Sequence, residues 1–235
     1  MRSVIKEKRE VAKGTLLVVF DLQGAEVDFR AGQYFWVELP DRGHQDEKGL
    51  RRHITIVTSP TEEGVVGLAT RLRDTAFKHT LQELSPGDEV QVEEPKGSFL
   101  LPEDTSQPYV FVAGGIGITV FRSMLRYVAD TGGPYEILLL YSNRDRESAA
   151  FLDELAELEA QIAGLRVVLT MTDDDGWDGE HRRIDEGFIR DYVGDLARPH
   201  YFVAGPPGMV EGMAETLEAA GVPEDRVTLG RFAGY

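Results

Sequence analysis

The sequence predicts two domains of different class. An N-terminal antiparallel β-barrel is expected over residues 1–104, and a C-terminal α/β domain with a doubly wound parallel sheet over residues 105–235. Three observations predict this. Short β-like runs separated by turn residues fill the first half, as in small barrels and sandwiches. After residue 105, short apolar runs alternate with amphipathic helical stretches, the pattern of strand–helix–strand units. Residues 102–108, bounded by Pro102 and Pro108, lie between the two patterns as a linker.

The elements follow in order. Residues 11–21, 33–39, 51–58, 65–72 and 88–93 read as strands, punctuated by Gly24, Ala31-Gly32, Pro40, Ser59-Pro60, Gly64 and Pro86-Gly87. Residues 41–49 are polar and read as a long hairpin loop, and residues 75–84 as one helix among the strands. In the second half, residues 109–113, 136–141, 165–170 and 201–204 are apolar runs typical of buried parallel strands. Residues 120–129 read as a helix. In residues 147–163, Phe151, Leu155, Leu158 and Ile162 share one helical face, as do Val210, Met213 and Leu217 in residues 208–220.

Composition narrows the function. The chain has 235 residues, 42% hydrophobic and 28% charged, with a net charge of −16. That charge argues against nucleic acid and anionic membranes as partners. Cysteine is absent, which excludes Cys nucleophiles, thiolate metal sites and Cys-ligated clusters held by this chain. His44, His53, His79, His181 and His200 form no ligand-spaced pair, so no metal site is expected. No serine sits in a Gly-x-Ser-x-Gly elbow. Asp173-Asp174-Asp175-Gly176 misses calcium-loop spacing. The N-terminus is too polar for a signal peptide and no apolar run spans a bilayer, so a cytoplasmic location without membrane insertion is expected.

Three segments carry chemistry. Val112-Ala113-Gly114-Gly115-Ile116-Gly117-Ile118-Thr119 follows a strand and precedes a helix. Glycines there let the backbone approach a phosphate, and the helix start favours an anion; a ligand-free Gly-rich turn is the alternative. Ala204-Gly205-Pro206-Pro207-Gly208-Met209 lies at another strand end, where open α/β sheets bind ligands. Arg51-Arg52-His53-Ile54-Thr55 enters a β-run with cations able to grip a phosphate, or with arginines that pair surface carboxylates.

Together these segments resemble the ferredoxin–NADP reductase family of flavin-dependent oxidoreductases, over nearly the whole chain and in the family's order. Arg52 to Thr55 is similar to the flavin motif Arg-x-Tyr-(Ser/Thr), with Ile54 in place of the aromatic. The glycine loop resembles the nicotinamide loop, with Val120 in place of a proline. Gly205-Pro206-Pro207-x-Met209 resembles the Gly-Pro-Pro-x-Met motif, with Ala204 in place of a cysteine. The last residues resemble the aromatic end of many members, with Arg231 in place of an acidic residue.

The resemblance implies FAD, preferred to FMN, and NADPH or NADH as substrate. Arg52 would bind the flavin pyrophosphate, with His53 and Ile54 beside it and Thr55 near flavin N5. Lys78 and Thr80 would add phosphate contacts from the helix, and Thr70 and Arg71 lie on a strand passing the flavin. Gly114, Gly115, Gly117 and Thr119 would cradle the nicotinamide nucleotide, flanked by Gly205, Pro206 and Met209. Tyr235 would cover the flavin ring, which with Thr55 makes up the expected catalytic pair. Ser142 and Arg144 permit a 2′-phosphate at a strand end that lacks an acidic residue, a lean towards NADPH. Arg182 or Arg183 would border the cleft.

The implied activity is hydride transfer from NAD(P)H to FAD, then electron transfer to a separate acceptor, a ferredoxin-type protein or a small molecule. An acidic ferredoxin would need a local basic patch, for which Arg71, Arg73, Lys78 and Lys96 are the candidates. The alternative is a flavin-poor regulatory or binding module on the same fold.

Overall fold

The computed structural model describes residues 1–230; Tyr235 and the rest of the C-terminal aromatic segment lie outside the described residues. Two sheets divide the chain. The first holds β1 (Arg2–Ala12), β2 (Thr15–Asp21), β3 (Tyr34–Glu38), β4 (Arg51–Thr55), β5 (Val65–Arg71) and β6 (Glu89–Val92), with α1 (Ala76–Glu83) between β5 and β6. Its order is β4-β3-β6-β1-β2-β5, antiparallel throughout. Beyond β4 the Val57 N–H donates to Gly67 O at 2.9 Å, which brings the two edge strands together and curls the sheet into a barrel.

The second sheet is parallel, ordered β11-β10-β7-β8-β9. It holds β7 (Pro108–Gly114), β8 (Glu136–Asn143), β9 (Leu165–Met171), β10 (His200–Ala204) and β11 (Val227–Gly230). Helices α2 (Ile118–Thr131), α3 (Leu152–Gln161), α4 (Glu186–Val193) and α5 (Pro207–Ala219) connect them. Side-chain alternation on β7 explains the layering. Tyr109, Phe111 and Ala113 pack with Phe121, Met124, Leu155 and Leu158 of α2 and α3. Val110 and Val112 pack with Phe188, Val210 and Leu217 of α4 and α5. The switch in strand order falls between β7 and β10, so a crevice opens at their carboxyl ends. Leu17, Val57, Ala69 and Phe99 of the barrel join the first of these clusters, so one apolar core crosses the junction.

Several expected bounds shift. Residues 11–21 are not one strand but the end of β1, a turn with Gly14 at φ +66°, and β2. The polar start of the chain forms β1 because only one of its faces is buried. The helix expected at 147–163 begins at Leu152. Its would-be first turn spends its backbone elsewhere: Ser148 N–H goes to Asp145 Oδ1 at 2.8 Å and Ala150 N–H to the Tyr141 hydroxyl at 3.1 Å. Phe151, left-handed at φ +65° and buried, then redirects the chain. Helix α4 and strand β11 lacked a legible pattern. Among the described residues no helix is long and apolar enough to cross a membrane.

Candidate active site

A cleft of about 640 Å³ lies at the junction of barrel and sheet. From the barrel it is lined by Tyr34, Arg52, His53, Ile54, Thr55, Thr70, Arg71 and Lys78, and from the sheet by Gly117, Thr119, Gly205 and Pro206. Three sequence segments far apart in the chain thus meet around one space. Thr80, Gly114, Gly115, Ser142, Arg144 and Met209 do not line it. Thr80 is fully buried within α1 and its hydroxyl has no hydrogen-bond partner among the described residues. Ser142 and Arg144 lie at the carboxyl end of β8.

The barrel wall concentrates positive charge out of water. Arg52 is 3% exposed. Its Nη1 donates to the carbonyls of Lys48, Gly49 and Arg51 at 2.6, 2.9 and 2.9 Å. Its Nη2 lies 3.5 Å from Asp46 Oδ1 but makes no hydrogen bond among the described residues. Lys78, on the first turn of α1, is also 3% exposed. Burial, then the charges of Arg73, Arg52 and Lys48, bring its pKa down to about 8. The start of α1 adds its own anion preference: Ala76 N–H donates to Asp46 Oδ2 at 2.8 Å, and that bond chiefly holds the Asp46 pKa low. Two buried cations and a helix start in one wall call for an anion. The burial of Lys78 also rules it out of a surface basic patch with Lys96.

Beside the cations stands a row of rings. Strand β3 pairs with β4 so that Trp36 faces His53 and Tyr34 faces Thr55. The His53 ring lies 5.4 Å from Tyr34 and 4.8 Å from Trp36, and burial lowers the His53 pKa. Tyr34 is a cleft residue that sequence reasoning missed. Only the cross-strand register sets it opposite Thr55 and against the His53 ring, so that β3 supplies an aromatic to the cleft. Phe77, Phe99 and Leu229 also line the cleft.

The sheet wall is built by close backbone approach. A single 3-10 turn, Gly115–Gly117, joins β7 to α2. A Cβ on Gly117 would lie 2.3 Å from Ala204 O, so only glycine lets this turn sit against the end of β10. A Cβ on Gly114 would meet Met209 Sδ at 2.1 Å, which places both residues behind the cleft surface. Thr119 Oγ1 donates to Ile116 O at 3.0 Å and steadies the turn. Arg71 crosses from the barrel: its Nη2 donates to Ser148 O at 3.3 Å and packs against Gly115. Arg182 is held by Glu180 and Asp191, both at 2.8 Å.

A cationic recess beside a ring-lined slot, facing a glycine turn at a switch point, suits two elongated nucleotides. The comparisons agree. Residues 2–100 match the oxidoreductase FAD-binding domain and residues 111–215 the oxidoreductase NAD-binding domain, together most of the chain. The chain belongs to the ferredoxin reductase-like flavoprotein oxidoreductases. It is similar to the reductase component of propane 2-monooxygenase from Rhodococcus jostii (strain RHA1), 28% identical over 217 residues that cover 90% of this chain and 57% of that one. It is also similar to a component of the Na(+)-translocating NADH-quinone reductase of Mannheimia succiniciproducens, 24% identical over 254 residues, covering 90% and 62%. The chain spans less than two thirds of the length of either relative. The fold is shared with the FAD/NAD-binding domain of nitric oxide dioxygenase from Vibrio cholerae O1 biovar El Tor, at TM-score 0.86, 20% identity and 98% coverage of both chains.

Proposed function

We propose that this protein is an FAD-dependent NAD(P)H reductase that passes electrons to a separate acceptor, a ferredoxin-type protein or a small molecule. The observation that carries this is the shared cleft, with buried Arg52 and Lys78 on one wall and the glycine turn and Gly205-Pro206 on the other. FAD bound there supplies the hydride acceptor, and NADH or NADPH the hydride.

The chain's own part is to bind and align. Arg52, Lys78 and the start of α1 suit the flavin diphosphate, which would offset the burial and the neighbouring cations that lower the Lys78 pKa. The Arg52 Nη2, which has no hydrogen bond among the described residues, supports this fit. Tyr34, His53 and Ile54 would flank the ring system, with buried Thr55 and Thr70 offering polar atoms beside it. The N–H groups of the glycine turn, with Thr119, Gly205 and Pro206, would hold the nicotinamide nucleotide. Gly114 and Met209 shape that wall from behind, and Ser142 and Arg144 would meet the ribose that distinguishes NADPH. Positioning supplies much of the rate in such a site, with no general base required.

The flavin domain is assigned residues 1–104 and the nicotinamide domain residues 105–235, supported by the change of sheet between β6 and β7. The relative named as a monooxygenase reductase component supports an electron-delivering role. A cytoplasmic location is proposed with the use of NAD(P)H. Purification tests the reading. A yellow protein that releases FAD on denaturation and oxidises NADH or NADPH with ferricyanide supports it. A colourless protein that takes up no added FAD refutes it and favours a binding module on this fold.

A further inference from the structure

Behind the cleft a second polar cluster joins barrel and sheet, centred on Arg122 of α2. Its side chain is 13% exposed. Nη1 donates to Glu62 Oε2 at 2.5 Å and to Val57 O at 3.0 Å, both on the barrel side. Nε and Nη2 hold Glu154 Oε1 of α3 at 3.0 and 2.9 Å. Burial works against this charge, yet Glu154 and Glu62 raise the Arg122 pKa above its ordinary value. Glu62 Oε2 also accepts the Ser59 N–H at 2.6 Å. The next residue of α2, fully buried Ser123, donates from Oγ to Thr58 O at 2.6 Å. Near the end of α2, Asp130 accepts from the Thr61 hydroxyl. Residues 57–62 are thus fastened to α2 at several points.

Both fastened segments lead directly into the cleft. Val57 follows Thr55 by two residues, and its N–H is tied to Gly67 across the barrel closure. Arg122 follows Gly117 by five residues along α2. The apolar core across the junction is held by a non-directional force, which fixes no single contact direction. Charge-assisted hydrogen bonds from a planar guanidinium each fix a direction as well as a distance.

We propose that Arg122 is a positioning residue for hydride transfer: by bridging Glu62 of the barrel and Glu154 of the sheet domain, it sets the separation of the two nucleotide-binding walls. This rests on the reductase reading above. Alignment matters because an error of about 1 Å between reacting groups costs on the order of a hundredfold in rate.

Two mild variants test it. Glu62→Gln keeps shape but loses the charge across the junction, and Arg122→Lys keeps charge but loses the fork. The chain has no cysteine, so Lys6→Cys and Glu211→Cys, exposed on β1 and α5, accept a spin-label pair without background. In both variants the label-to-label distance distribution should broaden. With FAD and saturating NADH, flavin reduction should slow by about tenfold or more and the nicotinamide–flavin charge-transfer absorbance should fall. FAD content and the NADH dissociation constant should stay within about twofold, as expected of a group that aligns rather than binds. Unchanged distances and reduction rates in both variants overturn the proposal. So does a rate loss that merely tracks lost FAD or lost folding. A wild-type protein that takes up no flavin refutes the reductase reading and the Arg122 role with it. A wild type that reduces flavin normally beside unaffected variants overturns the Arg122 role alone.

Discussion

FAD affinity should depend on pH through Lys78. Burial and the charges of Arg73, Arg52 and Lys48 bring this ammonium from an ordinary 10.5 to about 8. Keeping it charged therefore costs about 3 kcal/mol, at about 1.4 kcal/mol per pH unit. A diphosphate beside it offsets that cost and returns the pKa towards its ordinary value. Binding then takes up a proton wherever free Lys78 is neutral and bound Lys78 is charged. Below pH 8 the residue is charged in both states, so affinity is at its maximum and flat. Above pH 8 the free protein loses the proton first, and affinity falls until the bound pKa is passed. Linkage gives a fall of about 30-fold between pH 7 and pH 9.5. Quenching of FAD fluorescence by apoprotein across that range measures it. Lys78→Met should bind FAD more weakly at pH 7 and show little slope. A flat wild-type profile, or the same slope in Lys78→Met, would refute the placement of the diphosphate at Lys78.

Other perturbations probe the remaining parts. Arg52→Ala should cost roughly 1.5–3 kcal/mol of FAD binding, the range for a hydrogen bond to a charged group; full flavin retention would remove Arg52 from the site. Gly117→Ala forces a Cβ onto the Ala204 backbone, whereas Gly114→Ala presses on the Met209 side chain, which can turn. Thermal unfolding should show a loss of about 1–3 kcal/mol or more for Gly117→Ala and less for Gly114→Ala, and the reverse order would contradict the packing described. Arg144→Asp should raise the Michaelis constant for NADPH more than that for NADH, and equal changes would show that Arg144 does not read the 2′-phosphate.

Much of the fold was legible because its signals are local. Apolar runs such as residues 136–141 and the glycine loop after β7 announce buried parallel strands and a tight turn without any knowledge of neighbours. The polar β1 and the short edge strand β11 were not, since their strand character comes from partners: β2 and β6 for the first, β10 for the second. The helix expected from residue 147 failed for a similar reason. Its periodicity is real, but Asp145 and Tyr141 claim the backbone groups it would need.

For the site, the sequence by itself determined the chemistry on offer: a cation at Arg52, flexible turns at Gly114-Gly115 and Gly117, a stiff turn at Pro206-Pro207, and no cysteine for an internal relay. These are properties of residue type and spacing. The tertiary structure decided what meets what. Cross-strand register sets Tyr34 opposite Thr55, helix packing buries Lys78 among other cations, and domain contact delivers Glu62 and Glu154 to Arg122. Such pairings join residues dozens of positions apart. Their energies depend on burial and on distances of a few ångströms, quantities that exist only once the chain has folded.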